Sequence, residues 1–301
     1  MPKRRKVKQK VRQSPTDTIF DFFNVLFLSL CTLAVLYPLI FILSASFSAP
    51  TAVVSGKVFL LPVEPTTIAY ETIFKYRQIM VGYYNAVFYT LSATFVGVFV
   101  TFFAAYPLSR RGLPGRDQIM GLFVFTMLFS GGLIPTYLVV RALGLVNTRW
   151  AVMLPMAISV WNIIIMRTFF QVTLPQELFD SAEIDGASEL RIMFRIVVPL
   201  SGPVFAVVVL NWAVWIWNSY YYALIYLRSN ELQPLQIILR QILIMNETNL
   251  QMSADELIRK QGLVDVLRYA LIVVASAPLL MVYPFLQKYF TKGVMIGSVK
   301  G

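Results

Sequence analysis

Six stretches free of charge constrain this chain more than any other feature. Residues 22–56, 78–109, 118–140, 150–166, 196–227 and 269–287 contain no Asp, Glu, Lys or Arg. Each reaches or approaches the roughly 20 apolar residues that carry a helix across the hydrocarbon core. A backbone in lipid has no water to bond, so it must satisfy its own N–H and C=O groups, and a helix does so within one segment. Strand alternation is absent, which disfavours a barrel. No repeat with a period of about 20–50 residues marks a solenoid. The composition agrees, with 57% hydrophobic and 14% charged residues. The pattern predicts an all-α integral membrane protein with six transmembrane helices, near 22–47, 84–109, 118–140, 150–170, 200–227 and 268–289.

Orientation follows from Lys and Arg, which favour the cytoplasmic side of short loops. The tail ahead of the first span carries seven, and the loop "SRRGLPGRD" carries three. The segment after span 4 adds Arg167, Arg191 and Arg195. Both termini are therefore predicted to be cytoplasmic. The net charge of +11 and the stretch "PKRRKVKQKVR" invite a nucleic-acid reading. A basic flank that holds the first span against anionic lipid accounts for them better, because the run leads straight into a hydrophobic helix. No nucleic-acid partner is expected. A cleaved signal peptide is disfavoured, since its apolar core would be unusually long.

Much chemistry is missing. There is no His, and the lone Cys31 lies inside the first apolar run. Zinc, haem and iron–sulfur sites lack ligands, and Cys–His or Ser–His dyads cannot be built. The "SGKV" at 55–58 has no upstream glycine at phosphate-loop spacing. Neither catalysis nor a bound cofactor is expected of this chain. The spans hold no ionisable group well inside. A charge at a helix centre costs roughly 2.5–3.5 kcal/mol on insertion scales and is kept for function. Their absence argues against a proton-driven carrier, so the energy for any transport would come from another subunit.

Against this background the segment 175–199 stands out. Five of the 15 acidic residues fall between Glu177 and Glu189. Pro175 suits a first helical turn, and Glu177 and Asp180 suit its positive end. Leu178, Phe179 and Ala182 share one face at helical spacing. Gly186 breaks the chain, and Ser188 is placed to cap a second helix with Leu190, Met193, Phe194 and Val197 as its apolar stripe. Two short amphipathic helices joined at a glycine are predicted between spans 4 and 5. A helix lying on anionic lipid prefers a basic polar face, whereas this one is acidic and lined by small residues, so a protein partner fits better.

These residues resemble the EAA loop of bacterial ABC importer permeases: E-A-A, three residues, G, nine residues, I-x-L-P. Here Asp180-Ser181-Ala182 is followed at that spacing by Gly186 and Ile196-Val197-Val198-Pro199. The longer "AEIDGASELRIMFRIVVPL" is similar to the carbohydrate-uptake branch, the MalG-like permeases. "YPLIFILSASFS" (37–48), "AAYPLSRRGLPGR" (104–116), "FSGGLIPTYLVVRALGLVNT" (129–148) and the terminal "KGVMIGSVKG" resemble that group too, and "SGGLIPTYL" its LplC/YtcP subgroup. Asp180, Ser181 and Val198 depart from the motif conservatively.

The resemblance implies a type I importer permease fold in the bacterial plasma membrane. It implies a coupling helix docked in a cleft of an ATPase subunit, with Asp180, Ser181, Ala182, Glu183, Asp185, Gly186 and Ala187 in or beside that socket. It further implies a second permease forming a heterodimer, two ATPase subunits that bind the ATP, an extracytoplasmic solute-binding protein and an oligosaccharide substrate. The tail 293–301 would run between the two ATPases. The expected organisation is a basic tail at 1–21, a permease domain at 22–290 with coupling loop 171–199 and outer loop 228–267, and a cytoplasmic tail at 291–301.

Span 5 contains "NWAVWIWNSYYYALIYL". Its tyrosines suit an interfacial aromatic belt. Asn211, Trp215 and Asn218 share one face, where aromatic rings stack on sugar C–H faces and amides bind hydroxyls, so they are candidates for the substrate path. Helix packing explains the same residues without a ligand. The outer loop contains "LQIILRQILIM", which reads as a short amphipathic helix, either a lid over span ends or a loop that enters the solute-binding protein. The "NET" at 246–248 is read as a chance sequon. A rival reading of the whole chain is a membrane scaffold or channel subunit that binds a cytosolic protein without ATP coupling.

Overall fold

The computed structural model describes residues 15–244 and 254–297. Most of the basic tail, the "NET" stretch and the final four residues lie outside the described residues. Every regular element among the described residues is helical. The chain divides into two compact units, residues 1–69 with 252–273, and 70–251 with 274–301.

In the first unit, α1 (Pro15–Ser46) is 32 residues long, and none of its apolar window is buried. Past its end the chain turns sharply. Ser44 Oγ donates to the Leu60 carbonyl (2.6 Å), and Ser48 Oγ accepts from the Val63 amide (3.0 Å). Phe41 meets Tyr269 edge to face, with ring centroids 5.6 Å apart. Gly262 permits close approach of its helix to Pro50, where a Cβ would lie 2.7 Å from the carbonyl oxygen.

The second unit is organised around α2 (Arg77–Ser109), 33 residues long and the most buried of the long helices. α3 (Arg116–Leu128) and α4 (Leu133–Ala142) follow, then α5 (Val160–Thr173), α6 (Gln176–Ile184), α7 (Glu189–Leu200) and α8 (Gly202–Asn218). α9 (Leu235–Ile244) is the amphipathic helix expected in the outer loop. α10 (Ala254–Gly297) belongs to the first unit as far as Val273 and to the second from Val274 onward. Gly97 of α2 faces Trp212 of α8 so closely that a Cβ would sit 2.6 Å from the indole. Only glycine lets these two helices pack at that point.

Three of the expected spans are not simple rods. The span expected at 118–140 is α3 plus α4, bent by 111°. Gly132, at φ +82 and ψ −176, occupies a region open essentially to glycine alone, so "SGG" is a corner. The span expected at 150–170 is a short helix (Trp150–Met153), a non-helical stretch and the 14 residues of α5. Pro155 cannot donate to a continuous ladder, and Ser159 Oγ accepts the Asn162 amide to start α5 afresh. The span expected at 200–227 ends at Asn218, and a separate helix (Tyr221–Tyr226) follows. Among the described residues, three helices qualify as spans by length and composition, or up to five if each bent pair counts as one. Helix length alone thus does not reproduce the expected count of six.

Candidate functional site

The acidic segment folds as the expected elbow. α6 buries Phe179 and Ala182 and half-buries Leu178. Gly186 sits at φ +70, the left-handed region that L side chains avoid. Its N–H donates to the Glu183 carbonyl (3.0 Å), and the Ala187 N–H donates to the Ala182 carbonyl (2.9 Å). Those two bonds form a Schellman closure, which satisfies carbonyls left open at a helix end. Gly186 meets nothing within 4 Å of a built Cβ. Its requirement is therefore backbone twist, not internal crowding.

The second arm departs from expectation in two ways. Ser188 occupies the N-cap position of α7, but its hydroxyl makes no capping bond. Residues Met193–Val197 form a turn of π-helix. That wider turn breaks the 3.6-residue period on which the apolar stripe was reckoned. Met193 and Val197 are buried as expected, while Leu190 and Phe194 are exposed.

Both arms are tied to the C-terminal end of α2. Tyr106 Oη donates to Glu189 Oε2 at 2.6 Å. Arg110 Nη2 pairs with Glu183 Oε1 at 2.7 Å, and the Arg110 guanidinium lies 3.9 Å from the centroid of the Phe179 ring. A cavity of about 530 Å³ opens beside these contacts, lined by Tyr106, Arg110, Arg111, Gln176, Glu183 and Glu189 among others. Two of the five acids thus anchor the elbow internally. Glu177, Asp180 and Asp185 remain exposed, Asp180 accepting from Gln176 Nε2 at 2.9 Å.

Of the expected coupling residues, Asp180, Ser181, Glu183, Asp185 and Gly186 are exposed, and Ala187 is half-buried. Ala182 instead faces the core, where its small side chain lets α6 pack closely. Sequence reasoning missed Ile184, which is 86% exposed at the tip. Its signal was available, because Ile184 falls off the Leu178–Phe179–Ala182 face. Tyr106, Arg110 and Glu189 were also missed as anchors.

On α8 the three stripe residues do not converge. Asn211 Nδ2 donates to Asn162 Oδ1 on α5 at 3.1 Å, and Asn162 is buried. Trp215 is exposed and tilts against the buried Trp212, centroids 5.3 Å apart. Asn218 Nδ2 returns to the Val214 carbonyl of its own helix at 2.8 Å. Asn162 is the partner that spacing along one helix could not reveal. Among the described residues no cluster of His, Cys, Asp and Glu could hold a metal ion.

Comparison with known proteins places this architecture. The chain is 43% identical to "Protein LplC" of Bacillus subtilis (strain 168), over 94% of this chain and 95% of that one. It is 44% identical to the "Polygalacturonan/rhamnogalacturonan transport system permease protein YtcP" of the same organism, over 95% and 99% of the two chains. A crystal structure of "a bacterial ABC transporter involved in the import of the acidic polysaccharide alginate" superposes with a TM-score of 0.85 at 33% identity, covering 93% of this chain and all of that one. The model of the "Binding-protein-dependent transport system inner membrane component" family matches residues 10–296. With an all-helical fold, an acidic elbow between its apolar helices and matches across nearly its whole length, this chain belongs to the family of binding-protein-dependent transport system inner membrane components.

Proposed function

We propose that this chain is the permease subunit of an ATP-driven importer of oligosaccharides or polysaccharide fragments, and that the elbow at 176–200 couples it to the ATPase subunits. The observation that carries this reading is the elbow itself. Its glycine closure presents Asp180, Ser181, Asp185 and Ile184 outward, while Tyr106 and Arg110 bind its inner side to α2. An exposed isoleucine among acids suits a protein socket that buries one apolar anchor within a charged rim. The printed names of the polygalacturonan/rhamnogalacturonan permease and of the alginate importer support a carbohydrate cargo.

In this reading two ATPase subunits bind from the cytoplasm, where both termini also lie. A second permease completes the path, and a solute-binding protein delivers sugar from outside. ATP-driven closure of the ATPases moves the elbow. The Tyr106–Glu189 and Arg110–Glu183 contacts pass that movement to α2, and Gly97 against Trp212 passes it to α8, which carries Asn211, Trp215 and Asn218. Access to the path then alternates around a fixed site.

The test is isolation of the intact complex, reconstitution in vesicles, and measurement of oligosaccharide uptake with and without ATP. Uptake that needs ATP, and an ATPase that co-purifies, are expected. A complex without an ATPase would favour a scaffold or channel role. Uptake that survives ATP depletion under an ion gradient would indicate a secondary carrier.

A further inference from the structure

The elbow binds one end of α2, and an unusual guanidinium sits at the other. Asn85 and Tyr106 lie on the same continuous helix. At about 1.5 Å per residue their spacing is about 30 Å, the thickness of a hydrocarbon core. With the elbow in the cytosol, the Asn85 end of α2 faces outside.

Arg149, just before the short helix Trp150–Met153, reaches over this end. Its guanidinium carbon lies 4.5 Å from the centroid of the Phe88 ring and 6.0 Å from that of Tyr84. The two rings stack on one another, centroids 6.4 Å apart at 24°. Arg149 Nη2 lies 3.5 Å from Asn85 Oδ1. The bed beneath is held firmly, since Asn85 Nδ2 donates to the carbonyls of Glu231 (2.7 Å) and Gln233 (3.1 Å). Tyr89 Oη donates to the Leu232 carbonyl (2.8 Å).

Arg149 is half-buried, yet it forms no ion pair with any described carboxylate. Aromatic faces attract a cation by about 0.5–2 kcal/mol but do not neutralise it. A planar guanidinium held at a fixed angle is matched to a carboxylate, which it binds through two parallel hydrogen bonds. Beside it the Tyr84 side chain is 61% exposed. A flat ring next to an uncompensated guanidinium fits a ligand with an apolar face and a carboxylate on one rim. A uronic-acid pyranose has both.

We infer that Arg149 and Tyr84 form an outer-face subsite for an acidic sugar unit, with Tyr84 stacking on the ring and Arg149 pairing with the uronate carboxylate. The inference rests on the importer reading and adds to it a substrate class and a specificity-determining residue. A lipid phosphate would also neutralise Arg149, but it has no flat face for Tyr84. An acidic patch on the solute-binding protein is the other competing partner.

The experiment uses the full complex with its solute-binding protein in zwitterionic phosphatidylcholine vesicles. Uptake is measured for galacturonate, mannuronate and guluronate tetramers and for their uncharged methyl esters. Arg149→Gln is expected to lower the acid-to-ester uptake ratio about ten-fold, the lower end of what a hydrogen bond to a charged group contributes. Arg149→Lys should retain part of that ratio, because it keeps the charge and loses the fork. Tyr84→Ala should reduce acid and ester alike. An unchanged ratio in Arg149→Gln overturns the inference. So does an equal loss for acid and ester in that variant, which assigns Arg149 to binding-protein docking or to folding. A wild-type acid preference abolished by anionic lipid, to which Arg149→Gln is insensitive, assigns Arg149 to lipid. A wild-type complex that imports neutral sugars but no uronate overturns the subsite and leaves the importer reading standing. No ATP-driven sugar uptake of any kind overturns the importer reading itself.

Discussion

The elbow around Gly186 and the polar stripe on α8 solve the problem of polar groups in an apolar protein in different ways. At the elbow the backbone is closed by a glycine turn, and two carboxylates are tied to one helix end by contacts of 2.6 and 2.7 Å. On α8 one amide is committed to a neighbouring helix, another folds back on its own backbone, and Trp215 stays exposed. The first arrangement has few ways to rearrange, which suits the coupling role proposed for it. The second can exchange its internal hydrogen bonds for those of a passing ligand at little cost. The coupling role proposed for the elbow and the substrate path proposed along α8 call for these opposite properties.

The largest way to break the contrast is at Gly186. A β-branched residue at φ +70 incurs left-handed strain, of order 1–3 kcal/mol. Gly186→Val should leave membrane insertion intact and lower the ratio of sugar uptake to ATP hydrolysis at least about ten-fold. Gly186→Asn, which tolerates that backbone, should recover most of the coupling. Equal failure of both variants would mean that contact with the ATPase, not backbone twist, demands glycine there.

Next in size is Tyr106→Phe. It removes a hydrogen bond to a carboxylate, worth about 1.5 kcal/mol when partly buried, and leaves the ring in place. Thermal unfolding of the purified complex and the uptake-to-hydrolysis ratio should both fall, by less than in Gly186→Val. An unchanged ratio would detach α2 from the coupling route.

The smallest effects belong to the stripe. Asn211→Ala strips Asn162 of its partner across α5 and α8, about 0.6–1.7 kcal/mol by the range for interhelical bonds in membranes. Stability should drop slightly. The half-saturating sugar concentration should rise more than in Asn218→Ala, whose side chain bonds only to its own helix. Equal sensitivity at the two positions would argue that the stripe acts as one surface and that the Asn162 contact is incidental.

The same contrast explains what could be read from the sequence. The apolar runs announced membrane helices because a backbone in lipid must bond to itself and no strand alternation points to a barrel. The elbow was legible because its determinants are local: the Leu178–Phe179–Ala182 face, then glycine after the last turn. The α3–α4 corner and the break before α5 were not, although Gly132 and Pro155 were in plain view. Within a long apolar run, hydrophobicity says how much chain lies in the membrane and little about whether it runs straight. Contacts between distant positions left no local pattern at all. Tyr106 and Glu189 are 83 residues apart, Arg110 and Glu183 are 73 apart, and Asn162 and Asn211 are 49 apart. The π turn at Met193–Val197 was hidden for another reason, since a helical wheel assumes the period that the turn violates.

The grip of an ATPase on the exposed tip is best tested by a single cysteine at its most protruding side chain. With Cys31 replaced by Ser, Ile184→Cys in the assembled transporter, labelled with a short thiol-reactive photo-cross-linker, should form an adduct with the ATPase subunit on illumination, and its yield should change when ATP is added. A tip that reacts only with a small thiol probe, gives no ATPase adduct in the intact complex and ignores nucleotide would contradict the coupling role assigned to the elbow.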